Sequence, residues 1–138
     1  MASANAVVET VLKSPLHRLL SGRYVMLRYL GDRTTTEVTP PLQYADTHHG
    51  IVVLVDTSEP AAWWRNFTTM GQVQVLVAGS WVPMTAHALL GSEDPDAVAP
   101  LLRSYAARHP KVVNSLDGDT LDERVAHAVV VWLRPAAP

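Results

Sequence analysis

The chain has no cysteine, which excludes disulfides, thiolate metal sites and a cysteine nucleophile together. Charge is sparse. Asp, Glu, Lys and Arg make up 17% of 138 residues, the net charge is -2 and no run of Lys or Arg occurs, so the electrostatic footprint of a nucleic-acid-binding surface is missing. No apolar run approaches the ~20 residues of a membrane-spanning helix, and no charged segment leads into an apolar signal stretch. A cytoplasmic protein is expected. Nor does the sequence contain a Gly-x-Ser-x-Gly elbow, a Walker loop, Gly-x-Gly-x-x-Gly or His-Glu-x-x-His, so hydrolase and nucleotidyl chemistry lose ground and no metal site is expected.

What is present is apolar: 48% of residues are hydrophobic, enough for a sizeable core. No repeat, low-complexity stretch or linker divides residues 1–138, which read as one domain. Apolar residues at spacings of three and four predict an amphipathic helix over residues 4–20. Strands are predicted over Arg23–Leu30, Glu37–Asp46, Ile51–Val55, Val73–Val77, Trp81–Leu90 and Val125–Leu133. Pro40-Pro41 cannot donate ladder hydrogen bonds and implies an edge or bulge in the second strand. Ala78-Gly79-Ser80 turns a hairpin, and Asp94-Pro95 opens a helix to about Arg108 with Val98, Leu101, Leu102 and Tyr105 on one face. The fold class is α+β: about six mostly antiparallel strands, with helices flanking a barrel.

Three features could carry chemistry. Trp63-Trp64, half of the four tryptophans, lie side by side in Trp63-Trp64-Arg65-Asn66-Phe67. On a helix they point about 100° apart, so one can pack on the core while the other looks elsewhere, for example at a planar ligand. The turn Gly31-Asp32-Arg33-Thr34-Thr35-Thr36 offers a cation, hydroxyls and backbone N–H groups to a phosphate, or is simply a polar hairpin turn. Among six histidines, His48-His49 has poor geometry for a shared metal. His87 and His127, on predicted strands with apolar neighbours, are each a core histidine or together an acid–base pair facing one cavity.

Read in order, Leu30-Gly31-Asp32-Arg33-Thr34-Thr35, Pro41-Leu42-Gln43-Tyr44, the apolar strand, Trp63-Trp64-Arg65-Asn66-Phe67 and the closing Val131-Trp132-Leu133-Arg134-Pro135 resemble the deazaflavin-dependent nitroreductase family. That family belongs to the split β-barrel flavin- and F420-binding superfamily. The resemblance implies a split β-barrel in which Arg33, Thr34 and Thr35 face the cofactor phosphate and Pro41 and Leu42 line its groove. Val55, Asp56 and Thr57 would lie along the ring, with Trp64 and Asn66 closing the site. The implied function is an oxidoreductase passing hydride between F420, or less readily FMN, and a small organic molecule, with the cofactor supplying the chemistry. Tyr44, His109, His87 and His127 are the candidate proton donors, and a homodimer is left open.

Two departures from the family pattern support an alternative. Asp32 stands where the family has a cation, which repels a phosphate, and Thr35 stands where it has glycine, which restricts the backbone nest. Tyrosines that the family places after its third helix are replaced by His109-Pro110-Lys111-Val112-Val113-Asn114. The alternative is a barrel that has lost the deazaflavin and serves as a hydrophobic-metabolite-binding protein or a cofactor-independent isomerase or cyclase.

Overall fold

Strand β1 (Tyr24–Leu30) has Val25, Met26 and Leu27 all fully buried, so apolar packing covers both of its faces at that end. A computed structural model describes residues 23–31, 35–57 and 62–136. The helix expected over residues 4–20 lies outside them, as do Asp32, Arg33 and Thr34 of the polar turn.

The strand expected over Glu37–Asp46 is divided into β2 (Thr36–Val38), β3 (Leu42–Gln43) and β4 (Ala45–Thr47). The prolines dictate the break, because neither Pro40 nor Pro41 has an N–H for the ladder. Immediately before them, Thr39 substitutes a side chain for a strand partner. Its N–H donates to the Leu27 carbonyl at 2.9 Å, and its hydroxyl accepts from the Leu27 N–H at 3.0 Å. Thr39 is only 2% exposed, so losing this hydroxyl would strand a buried donor.

β4 turns into β5 (Gly50–Leu54) in antiparallel register, and β6 (Gly71–Val77) turns into β7 (Ser80–Leu90) through Ala78 and Gly79. Both of these turn residues have positive φ, as a tight two-residue hairpin requires. The Trp segment is a 3-10 helix, Trp63–Phe67. Helix α1 (Pro95–Arg108) starts at the proline after Asp94 and buries Val98, Leu101, Leu102 and Tyr105, the face expected from their spacing. Two short helices follow, α2 (Pro110–Asn114) and α3 (Leu121–Val125). β8 (Val129–Pro135) therefore begins four residues later than expected, because Val125 ends a helix rather than opening a strand.

The fold is α+β; among the described residues it is an antiparallel sheet of eight strands with three α-helices. Contacts group the described residues into two compact units, the first comprising those up to Gln43, Gln72–Thr85 and those from Pro135. Within it the hydrogen-bonded order is β2-β1-β6-β7, with β3 also on β1, and Met26 and Leu76 pack with Val38 and Trp81. The second unit comprises Tyr44–Gly71 and Ala86–Arg134. Its strand order is β7-β8-β5-β4, and its core joins the buried face of α1 to Val52, Leu89, Val125 and Val130.

Gly91 is the tightest point in this second core. Its N–H donates to the Ala128 carbonyl at 2.8 Å, and a Cβ there would fall 1.6 Å from the Val125 carbonyl oxygen. Backbone cannot yield as a side chain would. Gly91→Ala is expected to destabilise the fold by about 3 kcal/mol or more, read as a large drop in the denaturant midpoint; a variant within about 0.5 kcal/mol of wild type would contradict this packing.

Candidate functional site

In the second unit, β5 and β8 pair antiparallel from Ile51 opposite Leu133 to Leu54 opposite Val130. The ladder runs one step further, with the Val55 N–H donating to the Val129 carbonyl at 2.9 Å. Continuing that register brings the segment after β5 alongside the segment before β8, so Asp56 and Thr57 leave the sheet where His127 enters it. The end of α2 completes a cleft of about 530 Å³. Leu54, Val55, Val112 and Leu116 give it apolar walls, and Asp56, Thr57, Ser115, Asp117 and His127 give it polar ones.

The cleft can hold a small molecule: its volume lies within the roughly 300–1,000 Å³ usual for ligand sites. Its charged and titratable groups are Asp56, Asp117 and His127, with no Lys or Arg among the described lining residues. No group of three or more His, Asp or Glu able to hold a metal occurs among the described residues. A second cleft, of about 550 Å³, lies in the first unit beside Arg28; its lining includes Leu30 and Thr36, at either end of the polar turn, and none of the residues expected to bind a cofactor or donate a proton.

The sequence-derived candidates separate. Val55, Asp56, Thr57 and His127 meet in the 530 Å³ cleft. His127 sits there because it occupies the turn between α3 and β8, exposed, and not on a strand as expected. Arg33 and Thr34 lie outside the described residues. Thr35, Pro41 and Leu42 belong to the first unit, where exposed Thr35 uses its carbonyl to accept from the Gly31 N–H at 2.9 Å and Pro41 and Leu42 are half-buried.

Trp64 and Asn66, expected to close a cofactor site, do not line the cleft. Trp64 is 9% exposed, and the Asn66 side-chain amide donates to the Trp63 carbonyl at 2.8 Å. Trp63, half-buried, meets Phe67 edge-on with ring centroids 6.4 Å apart.

Tyr44 and His109 come together, but through the backbone. His109 Nε2 lies 2.7 Å from the Tyr44 carbonyl oxygen, so this nitrogen carries the proton and donates it. The His109 ring also packs on Tyr105, centroids 4.8 Å apart. His109 thus ties the end of α1 to the start of β4. His87 is half-buried on β7, away from the cleft lining.

Sequence reasoning missed Val112, Ser115, Leu116 and Asp117. The signal available was Thr120-Leu121-Asp122-Glu123, a capping box in which the Thr120 hydroxyl accepts from the Glu123 N–H at 3.2 Å and the Glu123 carboxylate accepts from the Thr120 N–H at 3.3 Å. Recognising it would have ended the final strand's extension at Val125 and placed a loop, and with it the cleft's far wall, before α3.

No protein-family model matches the chain, and no curated protein matches it in sequence. Its fold is similar to the crystal structure of HutZ, the heme storage protein from Vibrio cholerae, with a TM-score of 0.52 and 13% identity over 91% of this chain and 92% of that one. The architecture is thus split-barrel-like. This finding corrects the oxidoreductase expectation: a solved structure that shares the fold is that of a heme storage protein. No described helix is long and apolar enough to cross a membrane.

Burial also sets the titration of the neighbouring tyrosines. It pushes the Tyr105 phenol from 10.0 up to about 12. It raises Tyr44 too, helped by the Asp46 carboxylate and opposed by Arg108. A phenol with a raised pKa in the folded state keeps its proton when the unfolded chain has lost it, so its contribution is complete below pH 10 and is lost as pH rises toward about 12. Stability is expected to fall across that window by an amount on the order of 2 kcal/mol, and Tyr105→Phe to flatten the fall. Denaturant melts at stepped alkaline pH check this, and an unaltered slope in the variant would refute it.

Proposed function

We propose that this chain is a ligand-binding split barrel of the flavin- and F420-binding superfamily that has given up hydride transfer and holds a small, largely apolar molecule. The observation that carries the reading is the cleft of about 530 Å³ at the end of the β5–β8 pair, with apolar walls and a rim of Asp56, Asp117 and His127. Apolar walls supply affinity by releasing water, and a few placed polar groups fix orientation. The charge of the rim argues for the ligand's own charge. With two carboxylates and no Lys or Arg among the described lining residues, the phosphate and acidic tail of F420 or the phosphate of FMN would meet repulsion, whereas a neutral or cationic molecule would not. Kinship with the superfamily rests on the ordered segments from Leu30 to Pro135 and on the HutZ-like fold.

A neutral apolar dye such as Nile red tests the reading. Saturable binding is expected, with Ser115→Trp, which fills the cleft from an exposed position, weakening it about tenfold or more while leaving the melting temperature close to wild type. Haemin, F420 and FMN serve as competitors, and each, being anionic, is expected to displace the dye less well than an uncharged analogue. Absence of saturable binding, or equal affinity in the Ser115→Trp protein, would overturn the assignment.

A further inference from the structure

The cleft of about 550 Å³ in the first unit contains a guanidinium held in advance of any ligand. Arg28 stands on β1, and both its Nε and Nη2 groups donate to the side-chain carbonyl of Gln74, registered opposite it on β6. Its guanidinium carbon lies 4.2 Å from the centroid of the Trp81 ring, so one edge and one face are fixed at once. Trp81 is itself packed against buried Met26 and Leu76, which makes the platform rigid.

A guanidinium has five N–H bonds, and two are used on Gln74. The rest have no partner among the described residues, and no carboxylate among them pairs with the charge. Arg28 is the only charged residue among the described residues lining the cleft, and Glu37 on β2 is registered opposite Tyr29 rather than opposite Arg28. Around it the wall mixes apolar Leu30, Val73 and Pro83 with Tyr29, Thr36 and Gln72, and Leu30 is 68% exposed.

We propose that this cleft is a second binding site, selective for a small monocarboxylate on an apolar body. The carboxylate would take the unused N–H bonds of Arg28, in the planar geometry that makes guanidinium–carboxylate pairs strong. The body would cover exposed Leu30 and Pro83. Prior anchoring of Arg28 by Gln74 and Trp81 removes most of the ordering cost that a free arginine would incur on binding.

The test compares 4-phenylbutyrate with its uncharged amide on the whole chain, following tryptophan fluorescence, since Trp81 lies under Arg28. The acid is expected to bind saturably and at least about tenfold more tightly than the amide, the ratio expected for a charge-assisted bidentate pair. Arg28→Gln should abolish that preference, and Arg28→Lys should keep part of it through its charge alone. Equal affinity for acid and amide in the wild-type protein would overturn the proposal without reference to any variant. So would retention of the acid's full preference in a folded Arg28→Gln protein.

Discussion

The register between β5 and β8 is the constraint on which the second unit depends. Ile51 to Leu54 lie opposite Leu133 to Val130, and six of these eight residues are buried, so the pairing is fixed by packing on both strands. A slip of one residue would turn those side chains to the opposite faces. Because the register is held, the Val55 N–H reaches Val129, and the segments carrying Asp56 and His127 are delivered to one end of the strand pair. The cleft is therefore a consequence of strand pairing rather than of any loop chosen for chemistry.

The same constraint reaches the opposite end of the pair. Gly50, at φ 120°, lies where a Cβ would stand 2.7 Å from the Leu133 carbonyl, so the turn into β5 needs glycine to bring the strands this close. Trp132 Nε1 donates to the His49 carbonyl at 2.7 Å, and the Arg134 guanidinium lies 4.1 Å from the Trp132 ring centroid. These contacts clamp the hairpin of β4 and β5 onto β8. The polar groups at the two ends differ in use: at this end they close the structure, and at the other they face a cleft.

Sequence patterns located the elements whose signals are local. Pro95 at the first helical position and the spacing of Val98, Leu101, Leu102 and Tyr105 gave α1, although Asp94 makes no side-chain cap, so the proline's fixed φ carried the boundary. Ala78-Gly79 gave the β6–β7 hairpin for an equally local reason. What was illegible depended on distance along the chain. Nothing in Val112 to Asp117 says that these residues face Val55, about sixty positions earlier, because that juxtaposition is made by α1 docking on the sheet. His127 was misplaced on a strand since Val125 to Leu133 reads as one largely apolar run, in which the helix end at Val125 cannot be told from a strand start by hydrophobicity alone.

The Trp-Trp-Arg-Asn-Phe segment explains how a resemblance can follow the fold rather than the ligand. The structure gives most of its residues a structural use. Trp64 and Phe67 are buried, Trp63 packs on Phe67, and the Asn66 amide satisfies the Trp63 carbonyl within the 3-10 helix. Phe67 also lies 3.2 Å from where a Cβ on Gly71 would be, which couples the segment to the first residue of β6. Residues required for a turn to close and a core to fill persist wherever that turn and core persist, whatever the ligand. Their presence therefore reports architecture, and evidence about the ligand has to come from the side chains that line a cleft, which in the second unit are those around His127.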